Sequence, residues 1–550
     1  MDSAYDQALY EIGDEGKFQK SFDIKYNVFL IFFWSIVYMN IIMSLAITPY
    51  TCKYPEKPLN YSDYDWKLKH IPQNFIIFYY SQTNLKGEII FESCIIYTDP
   101  DLSNKTTECD FYIYDTTWYG TTIPSEKNWV CNQEINIANI FAYSKIGEAF
   151  GSIFFGWFGD VYGRRATYVL SLSLIVVDRL VSLMAGSSFM IFVVGCIIST
   201  LPSWSVPQTV SVISMEMSSS ARRSFTTSLR YTAFSVGLAI MPFLYWWLRD
   251  WKTFVIVTTA PLLPCIMFSW NIPESARWLY VEGKSKECVK ILNKIAVVNN
   301  SKLKPETEKE LLSVKKQKSS SSFGPLALFT GARLAFNTIL LLLLWVFVSI
   351  CYSVLILSTG EKSDSNPFIQ FSIQALAEIP SNFIGAWLCN NIGRRRSASA
   401  SFFVIGTIWI IVALRQMTSI EWLRAWWISA ALITIGRLTI AVSFFAINLL
   451  NMEIYPTCLR QSGLALGNVL SSVASALAPY ILYLGRRVDP RLPGLILGTS
   501  CLLSVFISMF LPETLNAKLP ETIEDAKVFG SKRTQFSKVS CEIQRTEDFS

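Results

Sequence analysis

The chain has 550 residues, of which 51% are hydrophobic and 16% charged, with a mean hydropathy of +0.34. A soluble chain is about a quarter charged, so a soluble multidomain enzyme is excluded. The net charge of +6 is small, no basic cluster is interleaved with aromatics, and His70 is the single histidine, which argues against a nucleic-acid groove, a histidine metal site and a Ser/His/Asp triad.

Residues 1–27 are polar and of mixed charge, too long and too acidic for a cleavable leader, and predict a cytosolic N-terminal segment. The apolar run from Val28 to Thr48 has the length that crosses a hydrocarbon core of about 30 Å. Residues 49–135 then form a hydrophilic loop holding Cys52, Cys94, Cys109 and Cys131, with glycosylation sequons at Asn60 and Asn104. An even cysteine count beside sequons places this loop in an extracellular, oxidising compartment, and four cysteines allow three pairings. Apolar runs follow at roughly 136–158, 166–186, 189–213, 224–247 and 253–272. Residues 273–333 interrupt them with twelve Lys/Arg, a helical charge pattern and Ser319 to Ser322; they read as a cytosolic loop, in which the Asn299 sequon stays unused. Further runs occupy 334–358, 367–389, 397–414, 426–451, 461–484 and 492–511, before a polar cytosolic tail at 512–550. The expectation is an all-α membrane protein of twelve transmembrane helices in two six-helix halves, 28–272 and 334–511.

The halves share their punctuation. Gly156-Trp-Phe-Gly-Asp160-Val-Tyr-Gly163-Arg164-Arg165 follows the second span, and Ala386-Trp-Leu-Cys-Asn390-Asn-Ile-Gly393-Arg394-Arg395 follows the eighth. Glu216 with Arg222 and Arg223 is echoed by Glu453 with Arg460, and Pro273-Glu274 by Pro512-Glu513. Gly156 and Gly159 suit a close approach of helices, and Asp160 suits the positive end of a facing helix. Arg164, Arg165, Glu216, Glu274 and their counterparts form a candidate gating network that holds one conformation and breaks in another, as rocking of two halves requires.

These loops and the twelve-span layout resemble the major facilitator superfamily. Pro-Glu-Ser-Ala-Arg-Trp-Leu at 273–279, Glu-Ile-Tyr-Pro-Thr at 453–457 and the cysteine-bearing loop resemble its organic cation, organic anion and carnitine transporter family. The resemblance implies Cys52–Cys109 and Cys94–Cys131 disulfides. It implies a multi-pass plasma-membrane transporter, secondary-active or facilitative, working as a monomer by alternating access. An organic anion carrier and a non-transporting sensor on the same scaffold are the alternatives. An enzyme, a cofactor and a metal are not expected, and no ATP-binding Gly-x-x-x-x-Gly-Lys-Ser/Thr motif is present.

Seven formal charges fall inside the spans: Lys145, Glu148, Asp178, Arg179, Arg230, Glu378 and Arg437. Charge at membrane depth costs several kcal/mol by most accounts and by default marks function (~2.5–3.5 on insertion scales). Lys145 and Glu148, at i and i+3, are placed for an intrahelical ion pair, and Glu378 and Arg437 for pairing across the bundle. The resemblance makes Glu378, Arg437 and the aromatics Trp345, Tyr352 and Phe445 substrate-facing, and an aromatic face suits an ammonium group. Ser472 stands where relatives place a charge, Lys145 where they place Asn, Cys196 where they place Arg, and Asn390 replaces the second-half acid. Four bases against three acids suit a small organic cation or zwitterion, carnitine-like or amino-acid-derived, with sodium or a proton as candidate coupling ion.

Overall fold

The computed structural model describes residues 4–13, 15–54, 69–72, 93–98, 106–184, 189–217, 220–269, 272–313, 325–358, 366–415, 426–455, 459–515, 520 and 523–529. Asn60, Asn104 and Ser319 to Ser322 lie outside them. Among the described residues, helical runs follow the expected segments and are called spans 1 to 12. The first half contains Lys17–Ser44, Ile135–Tyr162, Arg164–Met184, Phe189–Ser214, Ser220–Leu248, and Trp251–Thr259 with Leu262–Ser269. The second contains Ala332–Ser358, Pro367–Leu376 with Glu378–Asn391, Arg394–Arg415, Trp426–Ile454, Arg460–Ser475 with Ala478–Arg487, and Leu492–Met509. Eight of these runs are long and apolar enough to cross a membrane. The other four are spans 2 and 3, which carry Lys145, Glu148, Asp178 and Arg179, and spans 6 and 8, which are each divided into two helices.

Where lipid is as apolar as a helix surface, close packing replaces the hydrophobic drive, and small residues allow it. Gly151 of span 2 lies so near the Leu201 backbone of span 4 that any side chain would collide with it. Each half has its own apolar core, one including Trp34, Tyr168, Ile213 and Leu262, the other Leu341, Phe402, Ile447 and Leu497. A third cluster joins the halves, packing Tyr119, Tyr245 and Phe254 of the first against Phe368 and Phe371 of the second.

That joining cluster sits at the end that carries the cysteine loop. Here two short antiparallel ladders form, Tyr50–Cys52 with Tyr112–Tyr114 and Ile95–Tyr97 with Thr106–Glu108. Cys52 is bonded to Cys109 and Cys94 to Cys131, the pairing the resemblance implied.

The opposite end differs from its sequence reading. Span 1 begins at Lys17, ahead of the expected residue 28, because polar residues continue the helix and Asp23 and Asn27 are buried within the first half. Before it, helix Ala4–Ile12 docks on the helices of the 273–333 loop, Ala276–Val281, Ser285–Val298 and Pro305–Ser313, burying Tyr5, Ala8 and Ile12 with Leu279, Leu292 and Leu311. Asn299 fastens this contact: its Nδ2 donates toward the carbonyls of Ile12 and Gly13 and toward Gln19 Oε1 at 3.0–3.1 Å, while its Oδ1 accepts the Phe18 N–H at 2.9 Å. Glu11 accepts from the Lys304 N–H at 3.1 Å and from Thr307 Oγ1 at 2.9 Å. Similarly, the expected polar tail contains a helix, Ile523–Val528, whose Ala526 is buried with Leu328 and Leu334.

Burial pushes the Glu11 carboxyl upward, but the Lys304 N–H, the Thr307 hydroxyl and the Lys304 ammonium together hold it below the ordinary glutamate value. A depressed acid stabilises the docked state above its unfolded pKa, and that contribution fades as pH falls through the folded one. The docked N-terminal helix is therefore expected to loosen on acidification below the ordinary glutamate range. Asn299→Ala, removing bonds of about 1 kcal/mol net each, is expected to loosen it at neutral pH. Limited trypsin cleavage at Lys17 and Lys20 measures the variant at neutral pH and pepsin cleavage of the same segment measures the acid effect; unchanged cleavage in the variant would show that Asn299 does not hold the helix.

Candidate functional site

Two clusters of the intramembrane charges come together at the depth of the helix breaks. In the first, Lys145 and Glu148 lie on one face of span 2 and form the expected ion pair, Nζ to Oε2 3.0 Å. Tyr38 of span 1 donates to Glu148 Oε2 at 2.9 Å and accepts from Lys145 Nζ at 2.7 Å. Trp204 donates its indole N–H to Glu148 Oε1, from the turn that interrupts the helix of span 4 between Thr200 and Ser205. Ser472 of span 11, in the other half, donates to the same Oε1 at 3.0 Å. The neutral Ser472 thus binds a charge supplied by span 2. The Glu148 side chain is 3% exposed and that of Lys145 28%, so the lysine is the more exposed member of the pair.

The second cluster forms where span 8 is divided at Ala377. Glu378 opens the second helix of that span and pairs with Arg437 of span 10, Oε1 to Nε 2.7 Å. Tyr352 of span 7 donates to Oε1 at 3.3 Å, and Ser235 of span 5, across the halves, donates to Oε2 at 3.3 Å. The Arg437 side chain is fully buried over the Phe371 ring at 5.3 Å, and its Nη1 and Nη2 have no hydrogen-bond partner among the described residues. An unmet buried polar group costs about 1–3 kcal/mol, so this guanidinium is held by its one carboxylate and by the ring.

Trp345 is buried edge-to-face against Phe444 at 5.1 Å, and its indole N–H is unmatched among the described residues. Phe445 is half-buried and lies against Gly385. Cys196 shares a cavity of about 20 Å³ with Arg179 of span 3, so a neighbouring helix delivers a guanidinium to this region. Arg230 lies over the Tyr231 ring at 5.3 Å. Tyr38, Trp204, Ser235 and Phe371 were not singled out by sequence. Trp204 had a signal in the Leu201-Pro-Ser-Trp interruption of an apolar run; the others had none.

The repeated loops have one geometry. Glu274 accepts from the backbone N–H groups of Arg164 at 2.8 Å and Arg165 at 3.2 Å, and Glu513 from those of Arg394 at 2.9 Å and Arg395 at 3.2 Å. Glu274 thereby faces the positive N-terminus of span 3, and Glu513 that of span 9. Gly163 and Gly393 have φ of 100° and 108°, and a Cβ on either would collide with that carboxylate, which is why the motif needs glycine there. Arg394 holds Glu453 through Nε and Nη2 at 3.2 and 3.1 Å, whereas Arg164 Nη2 is 4.0 Å from Glu216. These bonds stay within their own half. Asp160, Arg222, Arg223 and Arg460 sit on spans 2, 5 and 11 with side chains outside the described residues. Gly159 packs against Thr167 as expected, but Gly156 has no described neighbour within 4 Å of a built Cβ and mediates no close approach.

Bonds that do join the halves concentrate at the disulfide end and the midline. Arg486 pairs with Glu134 at 2.8 Å, Tyr480 donates to Asn139 Oδ1 at 2.8 Å, and Ser372 donates to the Ala239 carbonyl at 2.7 Å.

Sequence comparison matches residues 76–525 to the family described as sugar (and other) transporter. The chain is 29% identical over 549 residues to the organic cation transporter protein of Drosophila melanogaster, covering 96% of this chain and 95% of that one. It is 26% identical over 411 residues to organic cation/carnitine transporter 2 of Homo sapiens, covering 74% and 72%. Its fold resembles that of the partially occluded inward-open xylose transporter XylE from E. coli, with a TM-score of 0.55 and 16% identity over 70% of this chain and 90% of that one.

Removing one partner of a buried ion pair costs about 3–5 kcal/mol, whereas replacing both is often neutral. Glu378→Gln and Arg437→Met are each expected to lower the melting temperature of the detergent-solubilised protein, and the double variant to recover most of the loss. Additive losses in the double variant would mean that the two side chains do not depend on each other.

Proposed function

The chain belongs to the sugar (and other) transporter family and is a multi-pass membrane transporter of the major facilitator fold, and we propose that its cargo is a small organic cation or zwitterion, carnitine-like, amine or amino-acid-derived. In this reading the halves 28–272 and 334–511 rock about the two charged clusters, exposing them to either side in turn. The protein works in the plasma membrane as a monomer, with the 49–135 loop outside, glycosylated at Asn60 and Asn104, and both termini and the 273–333 loop in the cytosol. Transport is facilitative or coupled to sodium or a proton.

The observation that carries the reading is the pair of charge-balanced clusters, Lys145 with Glu148 and Glu378 with Arg437, each lined by aromatic rings. Each offers a carboxylate to an ammonium and a base to a carboxylate, in surroundings where an isolated charge is unfavourable. The tyrosine hydroxyls on both carboxylates, Tyr38 and Tyr352, fix the acceptors in place. The names of the relatives agree: one is an organic cation transporter, and carnitine, in the name of another, joins a quaternary ammonium to a carboxylate.

The test is uptake of labelled cations, zwitterions and anions into cells expressing the chain, with sodium, pH and membrane potential varied separately. Saturable uptake of an amine or quaternary ammonium compound is expected, and Glu148→Gln and Glu378→Gln are each expected to reduce it by about tenfold or more. Uptake confined to organic anions, or no uptake of any class by protein confirmed at the cell surface, would overturn the reading.

A further inference from the structure

Lys145 occupies a binding site for an ammonium group. Its Nζ lies at the rim of the Tyr38 ring, 2.7 Å from the hydroxyl, and 3.0 Å from Glu148 Oε2. Glu148 does not depend on Lys145 for its position. Three neutral donors from three other elements, Tyr38, Trp204 and Ser472, hold the carboxylate, and the Tyr38 ring is braced by Trp34 at 4.9 Å and Trp204 at 5.7 Å. If the lysine swung away, an aromatic-lined carboxylate would remain, shaped for an ammonium. The lysine is also the one member of the two ion pairs with substantial exposure, at 28% against 3%, 6% and 0%.

We propose that the Lys145–Glu148 pair is an exchangeable clasp that selects zwitterions: the substrate ammonium takes the place of Lys145 beside Glu148 and Tyr38, and the displaced Lys145 takes the substrate carboxylate. This rests on the cation or zwitterion reading above and deepens it. One internal ion pair is exchanged for two intermolecular ones, and no charge is left alone at any stage. A monovalent cation entering the same place strands Lys145 in the bilayer interior, and a monovalent anion strands Glu148; either carries the penalty of an unpaired buried charge. Because Ser472 reaches Glu148 from the opposite half, an occupant of the clasp touches the contact that changes when the halves move.

Choline and glycine betaine test this directly, since both carry a trimethylammonium and only betaine has a carboxylate. In the wild-type protein, betaine is expected to raise the melting temperature in detergent and to be taken up in preference to choline. In Lys145→Met the vacated place admits choline while the carboxylate loses its partner, so the choline-to-betaine uptake ratio is expected to rise by about tenfold or more. Lys145→Arg keeps the charge and should keep the wild-type order. An unchanged ratio in Lys145→Met, with either compound still carried, overturns the clasp but leaves the broader reading standing. Equal or greater stabilisation of the wild-type protein by choline also overturns the clasp, and needs no variant. Binding and transport of neither compound by the wild type overturns the clasp, while the wider panel of amines and zwitterions decides the broader reading.

Discussion

A charge placed in the interior of a bilayer must be neutralised by the protein itself, because no water is present to do so. In this chain that constraint selects the centre of the molecule. Glu148 takes donors from spans 1, 2, 4 and 11, and Glu378 takes them from spans 5, 7 and 10. Eight of the twelve spans, counting span 8 that carries Glu378, are therefore aligned in part by the need to satisfy two carboxylates. Both clusters use an interruption of helix geometry: the turn before Ser205 turns Trp204 inward, and the division at Ala377 places Glu378 at the start of a new helix. The apolar packing around them sets distances, but the carboxylates set which faces of the helices look at one another.

The bonds fall into two groups with different work. Those of the Gly-Arg-Arg loops bind one helix to another inside a half and are repeated in both halves. Those of Glu148, Glu378, Glu134 and Asn139 run between the halves, as do the aromatic contacts around Phe368. Rigid-body rocking requires this division, with units that keep their internal contacts and an interface whose contacts can be exchanged. Glu274 and Glu513 suit the first task because they hold backbone N–H groups, whose positions vary little compared with the ends of long side chains.

The spans were legible in sequence because a bilayer of fixed thickness demands apolar runs of fixed length. The first boundary was not, because Asp23 and Asn27 are polar yet buried, and burial by a docked partner leaves no mark on hydropathy. Glu378 and Lys145 were legible as isolated charges in apolar surroundings, and Arg437 with them. Their pairings needed the fold: Lys145 with Glu148 could be read from spacing alone, but nothing in the chain linked Ser472 to residue 148 or Ser235 to residue 378. Tyr38 and Phe371 were hidden in a sequence that is 14% aromatic, where one more ring at helical spacing carries no signal. For the repeated loops, sequence identified the residues and the internal symmetry, while the geometry showed Glu274 and Glu513 bonding to backbone N–H groups and Glu453 to the Arg394 side chain.

Asn299 combines a sequon with a structural lock. The nitrogen that would carry a glycan is the one that donates toward Ile12, Gly13 and Gln19, so attachment of a sugar and docking of the N-terminal helix exclude each other. In the proposed orientation, with residues 273–333 in the cytosol, the asparagine stays away from the glycosylation machinery; in a chain inserted the other way up, a sugar added there would bar the docked arrangement and leave a chemical mark of the inverted topology.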